Sequence, residues 1–330
     1  MRLAHPFVQL PIRFDAEVLA REIKALGEAP WRPHPQGFPG NSMLPLIAVN
    51  GDPVNETFAG RMGPTPHLQR CPYLTQTMAA LGVTLGRSRL MRLSGRAEVT
   101  EHADQGYYWI ERMRVHVPIV TQPSVRFLCG GAEVNMAAGE CWIFDTWRQH
   151  NVLNENDDER IHLVVDTVGG ERFFNYVAAG RPHPPTPQQT PGWSAALIPP
   201  SAETPQLDLE TVNVPVVMSP WEISAHLGML FYDARGHANL PALQRSAAQF
   251  QRQWRSLWAR YGEGAEGWPH YRRAVDSFIA VARPAAEPID LPNGVPLYSA
   301  LRAMIGEVAA PKAGAATAGA QRATAMADRA

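Results

Sequence analysis

The sequence predicts an α+β fold: a small antiparallel barrel or jelly roll with buttressing N-terminal helices and a helical C-terminal region. Three observations carry that expectation. Apolar, β-branched runs alternate with Gly- and Pro-marked turns between residues 113 and 167. Two amphipathic segments precede them, and beyond residue 219 the apolar repeat changes from two to three and four.

Taken in order, Asp15 is placed to cap a first helix ending near Gly27, with Val18, Leu19, Ile23 and Leu26 along its inner side. A second helix follows Pro72, carrying Leu74, Met78 and Leu81 before Gly82. Strands are expected over residues 113–121 (MRVHVPIVT), 124–129 (SVRFLC) and 141–146 (CWIFDT), separated by Pro123, Gly130-Gly131 and Gly139. Residues 160–167 (RIHLVVDT) alternate, with Arg160, His162 and Val164 on one face and Ile161, Leu163 and Val165 on the other. Residues 181–210 are rich in Pro (RPHPPTPQQTPGW), a composition that resists helix and sheet and reads as a stiff connection.

Beyond it, Ser219-Pro220-Trp221-Glu222 is a capping box with Pro at the first helical position, starting a helix through about Tyr232. Leu243, Ala247, Phe250, Trp254, Leu257 and Tyr261 recur at three and four, ending near Gly262; Tyr271, Val275, Phe278 and Ala282 do so before Pro284. These aromatic stripes read as core or as a homodimer interface rather than as ligand boxes. Residues 306–330 are Ala/Gly/Thr-rich and are expected to be disordered. The expected division is thus a barrel over 1–180, a connection over 181–210, a helical region over 211–305 and a tail over 306–330.

Composition narrows the function. The 330 residues suffice for one large or two modest domains. A formal charge of −1 leaves no basic footprint for nucleic acid. No apolar run approaches the roughly 20 residues a membrane helix needs, and the opening MRLAHPFVQL lacks a basic segment followed by an apolar core. Cys71, Cys129 and Cys141 are odd in number and widely spaced, which argues against a disulfide framework and for a reducing, cytoplasmic setting.

Chemistry concentrates at His102, Asp104 and His150. Two imidazoles and a carboxylate are the donors of the facial triad that holds non-haem Fe(II) and leaves positions open for O₂ and a co-substrate. Side chains two apart on a strand share a face, so His102 and Asp104 reach one point, and the strands between bring His150 back to it. By itself an HxD pair is more often a surface hydrogen bond than a ligand set. Arg114 and His116, two apart, mark an anion site unless they are a surface ion pair and a core imidazole. Tyr107, Tyr108 and Trp109 either cover a substrate or pack beneath the loop that carries them, and Arg112 meets an acidic substrate group or solvent.

Residues 102–166, through H-A-D, R-M-R-V-H-V-P-I, G-E-C-W-I-F-D, H-N-V-L-N and R-I-H-L-V-V-D, resemble the aspartyl/asparaginyl β-hydroxylase family, which includes proline cis-4-hydroxylase-like enzymes. Pro30-Trp31, Gly40-Asn41 and residues 88–93 resemble its N-terminal region. The resemblance implies a double-stranded β-helix (jelly-roll, cupin-like) dioxygenase using Fe(II), O₂ and 2-oxoglutarate. It makes His102, Asp104 and His150 the iron ligands and catalytic centre, and pairs Arg160 with the distal carboxylate of 2-oxoglutarate. Arg114 and His116 would line the co-substrate or substrate pocket, with Arg112, Tyr107, Tyr108 and Trp109 on the substrate side. Asp104, absent from the animal peptidyl branch, suits a branch acting on small molecules and argues against halogenation. Hydroxylation of an amino acid, free, peptidyl or carrier-bound, with release of succinate and CO₂, is the implied reaction. Desaturation or epimerisation by the same oxidant, or a non-catalytic metal-binding sensor that does not need Arg160, stay open.

Overall fold

Alternation along the strands sets the layers. In the computed structural model, which describes residues 2–35, 37–185 and 192–312, one compact unit comprises residues 1–104 and 108–213. Its large sheet contains β1 (Phe7–Phe14), β2 (Arg32–Pro33), β3 (Asn41–Val49), β4 (Met62–Pro64) and β5 (Thr84–Leu93). The small sheet takes β6 (Glu98–His102), after which β7 (Met113–Val120) returns to the large one. Next come β8 (Val125–Cys129) and β9 (Ala132–Val134) of the small sheet, β10 (Glu140–Phe144) of the large, and β11 (His150–Asn154) of the small. Last are β12 (Arg160–Gly169), β13 (Arg181–His183) and β14 (Ala196–Ile198) of the large sheet.

The large sheet runs β13-β1-β10-β7-β12-β5-β3-β2, with β14 beside β1 and β4 beside β3; the small sheet runs β6-β11-β8-β9. On β7 and β12, Val115, Val117, Ile119, Ile161, Leu163 and Val165 join a core with Leu19 and Ile23 of α1 (Ala16–Leu26) and Leu74 and Met78 of α2 (Pro72–Ala80). Asp15 caps α1 through its Oδ1, which accepts from the amides of Glu17 and Val18. Phe7, Phe144 and Trp142 from the opposite face close on Val125, Phe127 and Val152 of the small sheet. This is the expected jelly roll with its buttressing helices, and the inward face of β7 and β12 is left to Arg114, His116 and Arg160.

β5 departs from simple alternation. Val165 opposes Ser88 while Thr167 opposes Leu85, so β5 carries an extra residue there. Leu85 and Leu90 therefore both reach the helix-side core, and the bulge turns Arg87 and Arg89 inward.

The Pro-rich stretch is more than a spacer. Pro182 lies opposite Val8 in β13, at the end of the sheet path, where a missing N–H breaks no ladder. β14 runs parallel to β1, Gln76 Nε2 donates to the carbonyls of Ser201 and Glu203, and Leu209 bridges to Leu85. The unit thus ends at Asn213 rather than near residue 180; residues 186–191 of the expected connection lie outside the described ones.

The second unit, residues 105–107 with 214 onward, holds α5 (Pro220–Asp233), α6 (Leu240–Tyr261), α7 (Trp268–Ala286) and α8 (Leu297–Leu301), numbered after α3 (Tyr107–Ile110) and α4 (Glu171–Ala178). The capping box forms: Ser219 Oγ accepts from the Glu222 amide and Glu222 Oε2 accepts from the Ser219 amide. Phe250 and Phe278 stack at 4.4 Å and Trp254 meets Tyr271 at 4.7 Å, so the aromatic stripes are spent inside this unit. α7 runs past Pro284, which lies in its last turn and so deletes one bond near the end. The expected tail starts too early, because Ala309 and Ala310 are buried and the Ala309 carbonyl accepts from the Met218 amide; residues 313–330 lie outside the described ones. No described helix is long and apolar enough to cross a membrane.

Candidate metal and co-substrate site

His102 ends β6 and His150 begins β11, and the two are cross-strand partners. Asp104 is turned back by its amide, which donates to the Thr146 carbonyl at 2.9 Å. The three offer one ligand atom each within 4.8 Å of one another, the one such trio among the described residues. Each imidazole is already oriented: Nδ1 of His102 lies 2.7 Å from the Thr100 carbonyl and Nδ1 of His150 lies 2.9 Å from the Arg148 carbonyl. A carbonyl only accepts, so both Nδ1 atoms carry the proton and both Nε2 lone pairs are left for the centre.

The carboxylate is divided in the same way. Asp104 Oδ2 accepts from Arg114 at 2.9 Å, while Oδ1 sits 3.8 Å from His102 Nε2. Burial works against the Asp104 charge, but Arg114, His150 and His102 hold the carboxyl below its usual range. Burial takes His150 down to about 4 despite Asp104 beside it, so it is a neutral ligand at pH 7. Two imidazole nitrogens and one carboxylate oxygen fit a divalent iron.

Arg160, buried at the start of β12, donates through one terminal nitrogen to His162 Nδ1 at 2.7 Å, and its Nε has no partner. It makes no ion pair with a carboxylate among the described residues, and burial pulls it to about 9. His116 Nδ1 lies 3.3 Å from His162 Nδ1. Since His162 Nδ1 must accept from Arg160, His116 Nδ1 carries the hydrogen and its Nε2 keeps a lone pair, which is buried without a partner. Burial and then Arg160 keep both imidazoles neutral. The trio, Arg114, His116 and Arg160 line one pocket of about 390 Å³, within the range of small-ligand sites.

The other expected substrate residues separate. Arg114 spans Asp104 and, at 3.0 Å, Asp166, which face it from two elements; these acids outweigh burial and raise its affinity for its proton. Trp109 lines the pocket with its ring 4.4 Å from the Arg114 guanidinium. Tyr108 lies outside the pocket lining, its hydroxyl accepting from the Arg87 amide at 3.0 Å. Tyr107 belongs with the second unit, where its hydroxyl donates to Glu222. The three form a helical turn rather than a loop.

Arg112 is corrected outright. Its Nε and one terminal nitrogen clamp Glu210 at 2.9 and 3.0 Å, and its remaining donors reach the carbonyls of Tyr108 and Asn213. It is buried and absent from the pocket lining, so a substrate acid has no access to it. Sequence reasoning missed Arg87 and Arg89, which do line the pocket. Two arginines two apart within a strand were the available signal.

Residues 58–169 match the family model described as aspartyl/asparaginyl beta-hydroxylase. Among solved structures, a Pseudomonas putida prolyl-4-hydroxylase is similar at 15% identity over 50% of this chain and 92% of that one, with a TM-score of 0.34. A 2OG-Fe(II) oxygenase family oxidoreductase from Burkholderia pseudomallei is similar at 19% identity over 50% and 88%, with a TM-score of 0.38. HygX from Streptomyces hygroscopicus, solved with nickel and 2-oxoglutarate bound, is similar at 11% identity over 51% and 84%, with a TM-score of 0.35. No curated protein matches the sequence.

Proposed function

We propose, from the match of residues 58–169 to the model of the aspartyl/asparaginyl beta-hydroxylase family, Fe(II)- and 2-oxoglutarate-dependent hydroxylases, that this chain hydroxylates an unactivated C–H bond of an amino acid, free, peptidyl or carrier-bound. Succinate and CO₂ are the co-products. The observation that carries the reading is the pairing, in one pocket, of a two-histidine, one-carboxylate trio with a buried arginine that lacks a carboxylate partner among the described residues.

In this reading His102 Nε2, His150 Nε2 and Asp104 Oδ1 hold the iron, which supplies open coordination positions and the oxidising power. Arg160 binds the far carboxylate of 2-oxoglutarate as a two-pronged donor, with His162 fixing the plane of its guanidinium. Arg114 keeps Asp104 ionised and aimed, and Trp109 shields that pair from water. The three free, buried cysteines suit a reducing cytoplasm.

Protein given Fe(II) and 2-oxoglutarate under anoxia, then O₂ and candidate amino acids, is expected to form succinate and a product one oxygen atom heavier. Single replacement of His102, Asp104 or His150 by Ala should end turnover while the fold persists by circular dichroism. A variant that kept wild-type succinate output would remove its residue from the ligand set, and a product two hydrogens lighter would replace hydroxylation by desaturation.

A further inference from the structure

Arg87 and Arg89 are the pocket-lining cations that the reading above leaves without work. Both are buried and both have an Nε with no partner. The Arg89 side chain makes no hydrogen bond or ion pair among the described residues. The Arg87 side chain makes only a long one, 3.5 Å to the Glu56 carbonyl, and rests 4.0 Å above the Phe58 ring. Charge near them does not balance. Asp104 and Asp166 face three guanidiniums, Arg87, Arg89 and Arg114, and both acids are already hydrogen-bonded to Arg114. Glu56, also in the lining, is paired with Arg32 at 3.3 Å. Burial followed by Arg89 pulls Arg87 down to about 9, and burial likewise lowers Arg89. A divalent ion at Asp104 would add two more positive charges. Buried guanidiniums in this state are costly unless an anion joins them.

The geometry points to an oxyanion subsite made by Arg87 and Arg89, which grips an acidic group on the substrate. The proposal rests on the oxygenase reading, since Arg160 is reserved there for 2-oxoglutarate and a second cationic pair then has the substrate as its partner. Guanidinium forks match carboxylate, phosphate and sulfonate alike. The β5 bulge aims both side chains at this point, and Phe58 with Trp109 forms an apolar wall beside them, so the subsite takes a compact acid rather than a sugar or a neutral lipid.

The test uses the full chain with Fe(II) and saturating 2-oxoglutarate under anoxia. Inorganic phosphate and acetate are each compared with chloride at equal ionic strength, and the melting temperature is read. At least one anion should raise it by several degrees in the wild type; the anion giving the larger rise distinguishes a phosphate from a carboxylate ligand. Arg87→Gln and Arg89→Gln should each cut that rise by half or more while leaving 2-oxoglutarate affinity within about twofold. Arg89→Met should melt higher than wild type without anion, because a buried unpaired charge is gone. No rise in the wild type, an equal rise in both Gln variants, or loss of 2-oxoglutarate binding in them would overturn the subsite. Failure of the wild type to bind 2-oxoglutarate would instead count against the reading of Arg160, and the anion series would still decide Arg87 and Arg89.

Discussion

Arg160 enters β12 buried, charged and held by a neutral imidazole. Arg160→Lys keeps the charge and loses the fork, so 2-oxoglutarate should weaken by about 1.5–3 kcal/mol, roughly tenfold to a hundredfold. Iron affinity, measured by titration of the same variant, should hold. At this scale the sequence was legible where placement follows local spacing: His102 and Asp104 two apart, Arg114 and His116 two apart, and Arg160 facing as its strand period requires all reach one pocket. It was illegible where a partner is remote. Arg112 and Arg114 look alike in sequence, yet Arg112 is taken by Glu210, 98 positions away, and nothing near Arg112 announces that.

Elements whose cause is local matched expectation: the Asp15 cap, the Ser219 box, the helix stop at Gly262 and the alternating faces of β7 and β12. β13 and β14 did not, because their pairing with β1 joins segments far apart in the chain and the prolines in and around them argued against strand. The β5 bulge likewise follows from register with β12 and has no local sign beyond Gly86. Ser219→Ala removes the acceptor for the Glu222 amide at the start of α5. A loss of about 0.5–2 kcal/mol is expected, read as an earlier helical transition in urea. The transition should recover with Ser219→Asp, which restores an acceptor at the cap.

For the whole molecule, acid should be destabilising well before its carboxylates titrate. His116 and His162 are held neutral in the folded chain, far below the ordinary value near 6.5. Below that value the unfolded chain binds protons that the folded chain refuses, so stability is full above about pH 6.5 and falls as pH drops. The loss is about 1.4 kcal/mol per pH unit for each histidine. Urea midpoints of metal-free protein at pH 7.5 and 5.5 test this, and His162→Asn should flatten the difference. One feature of the site also bears on how the protein withstands losing its metal. Because Arg114 already neutralises Asp104 and backbone carbonyls already hold His102 and His150, the centre has no internal repulsion to spring it open once the ion departs. The site behaves as a socket. Chelation followed by fresh Fe(II) should restore turnover without a refolding lag, and the melting temperature of the stripped protein should fall by no more than the binding energy of the ion accounts for. A slow, temperature-dependent recovery would mean that the metal assembles the trio instead of entering it.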